Sequence, residues 1–492
     1  MPLSLASLSG LPVPVRRPDY DRTAVTPGIV HLGIGAFHRA HQAAYVDALL
    51  KDDPSWGIVG ASLRSPDTAD ALNPQDGLYT LAVREDERTE MQVIGSILEV
   101  IVAPTALERL LSVMADPRVR IVTLTVTEKG YCHDPATGRL DETHAGIRAD
   151  LANPTAPTTA PGILVEALAR RFAAGVAPFT VLSCDNLPAN GRTVKRIVTR
   201  FAELRDPALG RHVASAVAFP CAMVDRIVPA TTDADRATVT AALGTEDAWP
   251  VMTEPFTQWV VEDNFPTGRP KLETVGVEMV ADVEPFELMK LRMLNGSHST
   301  LAYLGYLAGY ETVADVMADP AFAALVTDLM TEEVMPTVDV PGIDLGAYRD
   351  ALVRRFRNRG LKHRTWQIAM DGSQKLPQRL LGTIRARRAA GASIDRLALG
   401  VAAWMAYVRG IDEKGQPIDV RDPLSGRLRL IADAAGTDAD ALASGLLAVT
   451  DVFGTDLPAD PTFRSAVTAA LTRLLEAGSA ATVAAAARIP QR

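Results

Sequence analysis

A change of hydrophobic period near residue 281 constrains this chain more than any other feature. Before it, short apolar runs alternate with stretches of helical spacing. "GIVHLGIGAFHRAHQAAYVDALL" (28–50) reads as a strand through Ile29, Val30 and Leu32, a break at Gly33 and Gly35, then a helix through Ala43, Val46, Leu49 and Leu50. "WGIVGASL" (56–63), "VRIVTLTVT" (119–127) and "FTVLSCDN" (179–186) are further strands; "VRIVTLTVT" is β-branched and apolar on both faces, as in a buried parallel strand. Helical spacing fills 105–115, 162–174 and 191–204. After "ADVEPFELMK" (281–290) strand signals nearly vanish. Helices are expected over 285–308, 311–316, 320–334, 344–356, 376–390, 393–408, 438–452, 460–476 and 479–487, with a surface loop at 412–426.

Alternating strands and helices predict a doubly wound parallel sheet, an α/β fold of Rossmann-like type. At 492 residues the chain is too long for one ordinary core. Two domains are expected: a Rossmann-like nucleotide-binding domain over 1–284 and a mostly α-helical substrate and catalytic domain over 285–492.

A net charge of −9 and the lack of any Lys/Arg-rich block argue against a nucleic-acid partner. The arginines between Arg379 and Arg388 read as a solvated helix face. Cys132, Cys184 and Cys221 are odd in number and widely spaced, and no His/Cys/Asp/Glu set has zinc-ligand spacing, so neither a disulfide framework nor a metal site is expected. No apolar run is long enough to span a membrane, and no leader pattern opens the chain, so a cytoplasmic location is expected.

The glycine turn in "HLGIGAFHRAH" supplies two of the three glycines of a dinucleotide-binding turn. Gly33 permits the sharp bend and Gly35 lets backbone amides approach a pyrophosphate, with Phe37 beside them. His38 occupies the third position and should hold helix and strand apart. His38 and His41 read as helix-surface residues. At the tip of the second strand no acid reads the ribose unless Asp67 folds back; Arg64 stands there instead, suited to a 2′-phosphate or to stacking on adenine. NAD is the expected cofactor, with NADP left open.

"MKLRMLNGSHST" (289–300) sets Lys290, Asn295 and His298 in an otherwise apolar helix. With "GIGAFHRAHQ", "LTVTEKGYC", "SCDNLPANG", "MVDRIVP" and "WVVEDNF", this segment resembles the mannitol dehydrogenase family, the long-chain, metal-independent polyol dehydrogenases that include fructuronate reductases. The resemblance runs from about residue 27 to the C-terminus. It implies Lys290 as general base, Asn186, Asn295 and His298 as its catalytic companions, Asp225 in the substrate site, and Glu128 near a proton exit. It also implies a small polyol, ketose or sugar-acid substrate and a monomer or homodimer.

The residue types suit that chemistry. A lysine acts as base only if its pKa falls from about 10.4 towards 7 or 8, which burial favours. Asn186 and Asn295 are neutral donors for a developing alkoxide. On a regular helix, at about 100° per residue, Lys290 stands roughly 80° from His298 and about 140° from Asn295. In "KHRTWQIAMDGSQKLPQR" (362–379), Gln367 stands where mannitol-specific members show arginine, and Arg364 and Lys375 are candidate partners for a sugar carboxylate. Mannitol/fructose and mannonate/fructuronate chemistry stand nearly level. The competing reading is a non-catalytic sugar- or nucleotide-binding regulator, against which the intact Lys290, Asn295, His298 and Asn186 argue.

Overall fold

The computed structural model describes residues 2–134 and 137–487. Contacts divide the chain into two compact units, Met1–Glu284 and Pro285–Arg492.

The first unit is built on five parallel strands: β1 (Pro27–Leu32), β2 (Gly57–Ser62), β3 (Ile97–Val102), β4 (Ile121–Leu124) and β5 (Thr180–Ser183). Their spatial order is β3-β2-β1-β4-β5. The order reverses between β1 and β4, the crevice where open α/β sheets bind their ligands. Both faces of the sheet are covered. Val30, Leu32, Val122, Leu124 and Val181 meet the helices Ala103–Ala115, Ala160–Ala173 and Asn190–Arg205 on one side. Ile29, Ile58, Ile121 and Leu182 pack with Val46 and Leu49 of the helix Gln42–Leu49 on the other. Double coverage explains the apolar runs that announce four of these strands; the edge strand β3, interrupted by Glu99, was not anticipated.

Two three-stranded sheets were not anticipated. The hairpin Tyr79–Glu85/Arg88–Ile94 is joined by Val251–Thr253, and Ala222–Asp225 and Glu278–Val280 flank Gln258–Glu262. The hairpin turns through Asp86 at φ 50°, with no Asn-Gly or Asp-Gly pair to mark it.

The second unit is helical, as its period predicts, with two departures. A helix Ser425–Ala435 begins where the expected loop ends. Three stretches, Lys290–Asn295, Leu329–Val334 and Pro377–Leu381, are π-helical, and the first packs against both others. π turns are rare, appear within longer helices and collect at functional sites.

Candidate active site

In the first unit the residues in question lie at the carboxyl ends of the strands. Gly33 leaves β1 at φ +91°, and a Cβ there would lie 2.3 Å from the Thr125 carbonyl oxygen, so only glycine fits. Gly35 caps the helix Ala36–Ala40 with no side chain on its amides, and an added Cβ would meet only Gly33 O, at 3.8 Å. This uncovered amide edge at the switch point fits a dinucleotide pyrophosphate.

His38 stands at the third glycine position. It is fully buried and its ring stacks on that of His31 with centroids 3.4 Å apart, so the imidazole itself fills the space between helix and strand. His31 is held by the hydroxyls of Thr123 and Thr125, each at 2.8 Å. Burial drives both rings towards neutrality, His31 down to about 3. His41 is buried as well, with Nε2 2.9 Å from the Gln258 carbonyl oxygen. Both histidines belong to the interior, not the helix surface. Phe37 stacks on the His41 ring at 5.1 Å. Arg64 is exposed beyond β2, and Asp67 opens the helix Asp67–Leu72, its own amide taken by Ser65 Oγ at 3.2 Å.

The segment "SCDNLPANG" works as a clamp. The Asp185 carboxylate accepts from the Val126 and Thr127 amides at 2.9 and 3.1 Å and from the Tyr131 hydroxyl at 2.7 Å. The Asn190 amide group donates to the carbonyls of Asp185 and Ala222 and accepts from the Ala222 amide. Asn186 stands exposed between these two anchors. Asp225 ends the strand Ala222–Asp225 and is buried. The neighbouring Arg226 guanidinium donates to the carbonyls of Ala40 and Glu254. Glu128 is exposed, in a short turn that follows Thr127 at φ +65°.

In the second unit, Lys290 is only 8% exposed among Met289, Met293 and Leu294, all buried. It begins the π turn, in which the Gly296 amide reaches back five residues to the Leu291 carbonyl. The wider turn changes the sequence geometry. Residues five apart are paired across it, so Lys290 and Asn295 come closer to a common face than 140° allows. Asn295 is half-buried and His298 is 6% exposed, with its Nε2 buried and without a partner among the described residues. The His298 ring lies 4.6 Å from that of Phe356 and meets the His363 ring edge-on at 5.0 Å. Burial first, with the neighbouring His363, Arg355 and Arg379 adding to it, drives the His298 imidazole well below its ordinary value. His363 falls to about 4 for the same reasons, burial first.

Arg364 and Lys375 do not stand as open cations. Arg364 pairs with Glu311 near the surface. The Lys375 ammonium donates to the carbonyls of Met370 at 2.6 Å and Ile368 at 3.4 Å, next to the end of the helix Thr365–Ala369. The arginines read as a solvated face divide. Arg385 and Arg388 pair with Asp456 and Asp460, whereas Arg379 turns inward and donates to Ser299 Oγ at 3.1 Å. Arg379 and His363 are the neighbours of His298 that sequence reasoning missed. The signal was the apolar setting of Arg379, with Leu376, Leu380 and Leu381 all fully buried.

Among the described residues no group of three or more His, Cys, Asp or Glu could hold a metal ion, and no helix is long and apolar enough to cross a membrane. The cysteines are free and buried.

A Rossmann sheet with its glycine turn at the switch point, followed along the chain by a helical half carrying a buried lysine, is the layout of a two-domain dehydrogenase. Residues 27–274 match the model of the mannitol dehydrogenase Rossmann domain, and residues 282–475 that of the mannitol dehydrogenase C-terminal domain. D-mannonate oxidoreductase of Escherichia coli is 49% identical over 96% of this chain and 98% of its own length. Mannitol 2-dehydrogenase of Aspergillus fumigatus is 42% identical over 94% of each chain. The ternary complex of Pseudomonas fluorescens mannitol 2-dehydrogenase with NAD and D-mannitol superposes over the full length of both chains, with a TM-score of 0.88 and 41% identity. The chain belongs to the mannitol dehydrogenase family.

Proposed function

We propose that this chain is an NAD-dependent, metal-independent oxidoreductase, active in the cytoplasm, that interconverts a secondary alcohol of a sugar alcohol or aldonate with the corresponding ketose. The observation that carries the reading is the buried Lys290 on a π turn shared with Asn295 and followed by His298. The names of the relatives, mannonate oxidoreductase and mannitol 2-dehydrogenase, support the same reaction class.

NAD, when bound, accepts the hydride, and Gly33, Gly35, Phe37 and Arg64 are the residues proposed to hold it. Lys290, buried, is assigned to take the hydroxyl proton in its neutral form. Asn295 and Asn186 are assigned as amide donors to the developing alkoxide. Neither carries a charge that would pair with the lysine and hold it protonated. His298, neutral by burial, orients a substrate hydroxyl without adding a second cation beside the base. Asp225 is assigned to the substrate hydroxyls and Glu128, exposed, to passing the proton on to solvent.

The test is NADH oxidation followed by absorbance with fructose and with fructuronate, in wild type and in Lys290→Ala. Turnover of at least one ketose that collapses in the variant, with NADH affinity unchanged, is expected. A wild type that binds NADH but turns over neither ketose would leave the chain a binding protein on this fold.

A further inference from the structure

We infer that Arg379 reads a carboxylate on the substrate and so sets a preference for a keto-sugar acid over the neutral ketose. This rests on the reaction proposed above and narrows its substrate class.

Arg379 belongs to the π turn Pro377–Leu381, which packs against the π turn holding Lys290 and Asn295. Its backbone closes on the start of the helix Gly296–Leu307: a Cβ at Gly296 would lie 2.8 Å from the Arg379 carbonyl oxygen. Its side chain reaches Ser299, the residue after His298. The cation is thus fixed within one turn of the proposed catalytic group.

Its partners leave most of it unanswered. A guanidinium offers five N–H donors in a planar fork. One goes to the neutral Ser299 hydroxyl, and among the described residues no carboxylate pairs with it. The rings nearby, His298 and His363, are uncharged, and Arg355 adds to the positive field they sense. A half-buried guanidinium without an anion is costly, and burial pulls Arg379 below its ordinary value. A planar carboxylate answers that fork with two parallel hydrogen bonds; a polyol hydroxyl answers it with one. Arg364 and Lys375 are committed to Glu311 and to backbone carbonyls, so the task does not fall to them.

The experiment compares kcat/KM for fructuronate and fructose in wild type, Arg379→Met and Arg379→Lys, with thermal melts as a folding control. Wild type should favour fructuronate. Arg379→Met should lose about 100-fold on fructuronate, mostly in KM, and under about 10-fold on fructose, because only the acid leaves a charge unpaired. Arg379→Lys should recover part of the loss on the acid alone. Should Arg379→Met fail to fold, the dissociation constant of mannonate from NADH-loaded wild type and Arg379→Lys, set against that of mannitol, carries the same comparison. Equal losses on both ketoses would reduce Arg379 to a structural brace and overturn the inference. A wild type that reduces fructose and not fructuronate would overturn it while leaving the reaction class intact; one that reduces neither would remove the reaction class itself.

Discussion

Two glycines of one turn should fail in opposite ways. Gly33→Ala places a methyl 2.3 Å from the Thr125 carbonyl oxygen and 2.8 Å from its carbon, at φ +91°. Thr125 cannot retreat cheaply: its amide is bound to the Leu32 carbonyl at 3.0 Å, and its hydroxyl to Gly33 O at 2.9 Å and to His31. A positive φ costs an L-residue roughly 1–2 kcal/mol and overpacking about 1–3 kcal/mol more, so the first unit should lose about 2–5 kcal/mol. Gly35→Ala is different. At φ −103° and ψ −172° alanine is unstrained and the space is open. A poorer helix cap costs about 0.5–1 kcal/mol, and reduced unfolded-chain entropy returns about 0.4–1 kcal/mol, so stability should stay within about 0.5 kcal/mol. The added methyl nevertheless stands on the amide edge that a pyrophosphate must approach, and the NADH dissociation constant should rise at least about tenfold, or 1.4 kcal/mol. Urea unfolding by circular dichroism and NADH fluorescence titration separate the two effects. A Gly33→Ala protein of unchanged stability would refute the steric argument. A stable Gly35→Ala protein with unchanged NADH affinity would put the cofactor elsewhere.

Lys290→Ala should lower turnover by several orders of magnitude with little change in NADH affinity, because a base acts in the chemical step; steady-state kinetics beside a binding titration decide it. Asn186→Ala and Asn295→Ala should each cost on the order of 2.7–4 kcal/mol in kcat/KM, and the double variant less than the sum if both hold one oxygen; strict additivity would assign them different atoms. Acid should destabilise the native chain well above the carboxylate range. His31, His38, His298 and His363 all titrate below 6.5 when folded, so as pH falls from about 6.5 the unfolded chain takes up protons that the native one refuses. Each such ring removes about 1.4 kcal/mol per pH unit until its folded value is reached, near 3 for His31 and near 4 for His363. Urea midpoints flat between pH 6.5 and 4.5 would contradict the buried, neutral assignment.

Four of the five central strands were legible because they are covered on both faces, which forces continuous apolar runs into the sequence; the edge strand Ile97–Val102, half-buried at Leu98, Glu99 and Val102, was not. The small sheets carry no such mark. Their strands are short, as in Val251–Thr253, or face solvent along one edge, as in Arg88–Ile94 with its exposed Arg88, Thr89 and Glu90. His38 and His41 were misjudged for a related reason. A polar residue at helical spacing reads as surface by default, and only the pairing of His38 with His31, seven residues earlier on β1, makes an interior position tolerable.

The candidate site stood out in its residue types but not in its angles. Lys290, Asn295 and His298 announce themselves as polar groups in apolar company, but nothing in "KLRMLNGSHS" marks a π turn. That turn is stabilised by its packing partners, the π turns at Leu329–Val334 and Pro377–Leu381, the first about 40 residues away and the second about 85. The same long-range packing explains why Arg364 and Lys375 were chosen over Arg379. The resemblance carried by residues 362–379 nominated the former pair, and Arg379 was read as part of a solvated face. The structure ties them to Glu311 and to helix-end carbonyls and turns Arg379 onto Ser299 instead. On the inference that Arg379 reads the substrate, the deciding property is a cation whose internal partners are neutral, and that is visible only once the partners are known.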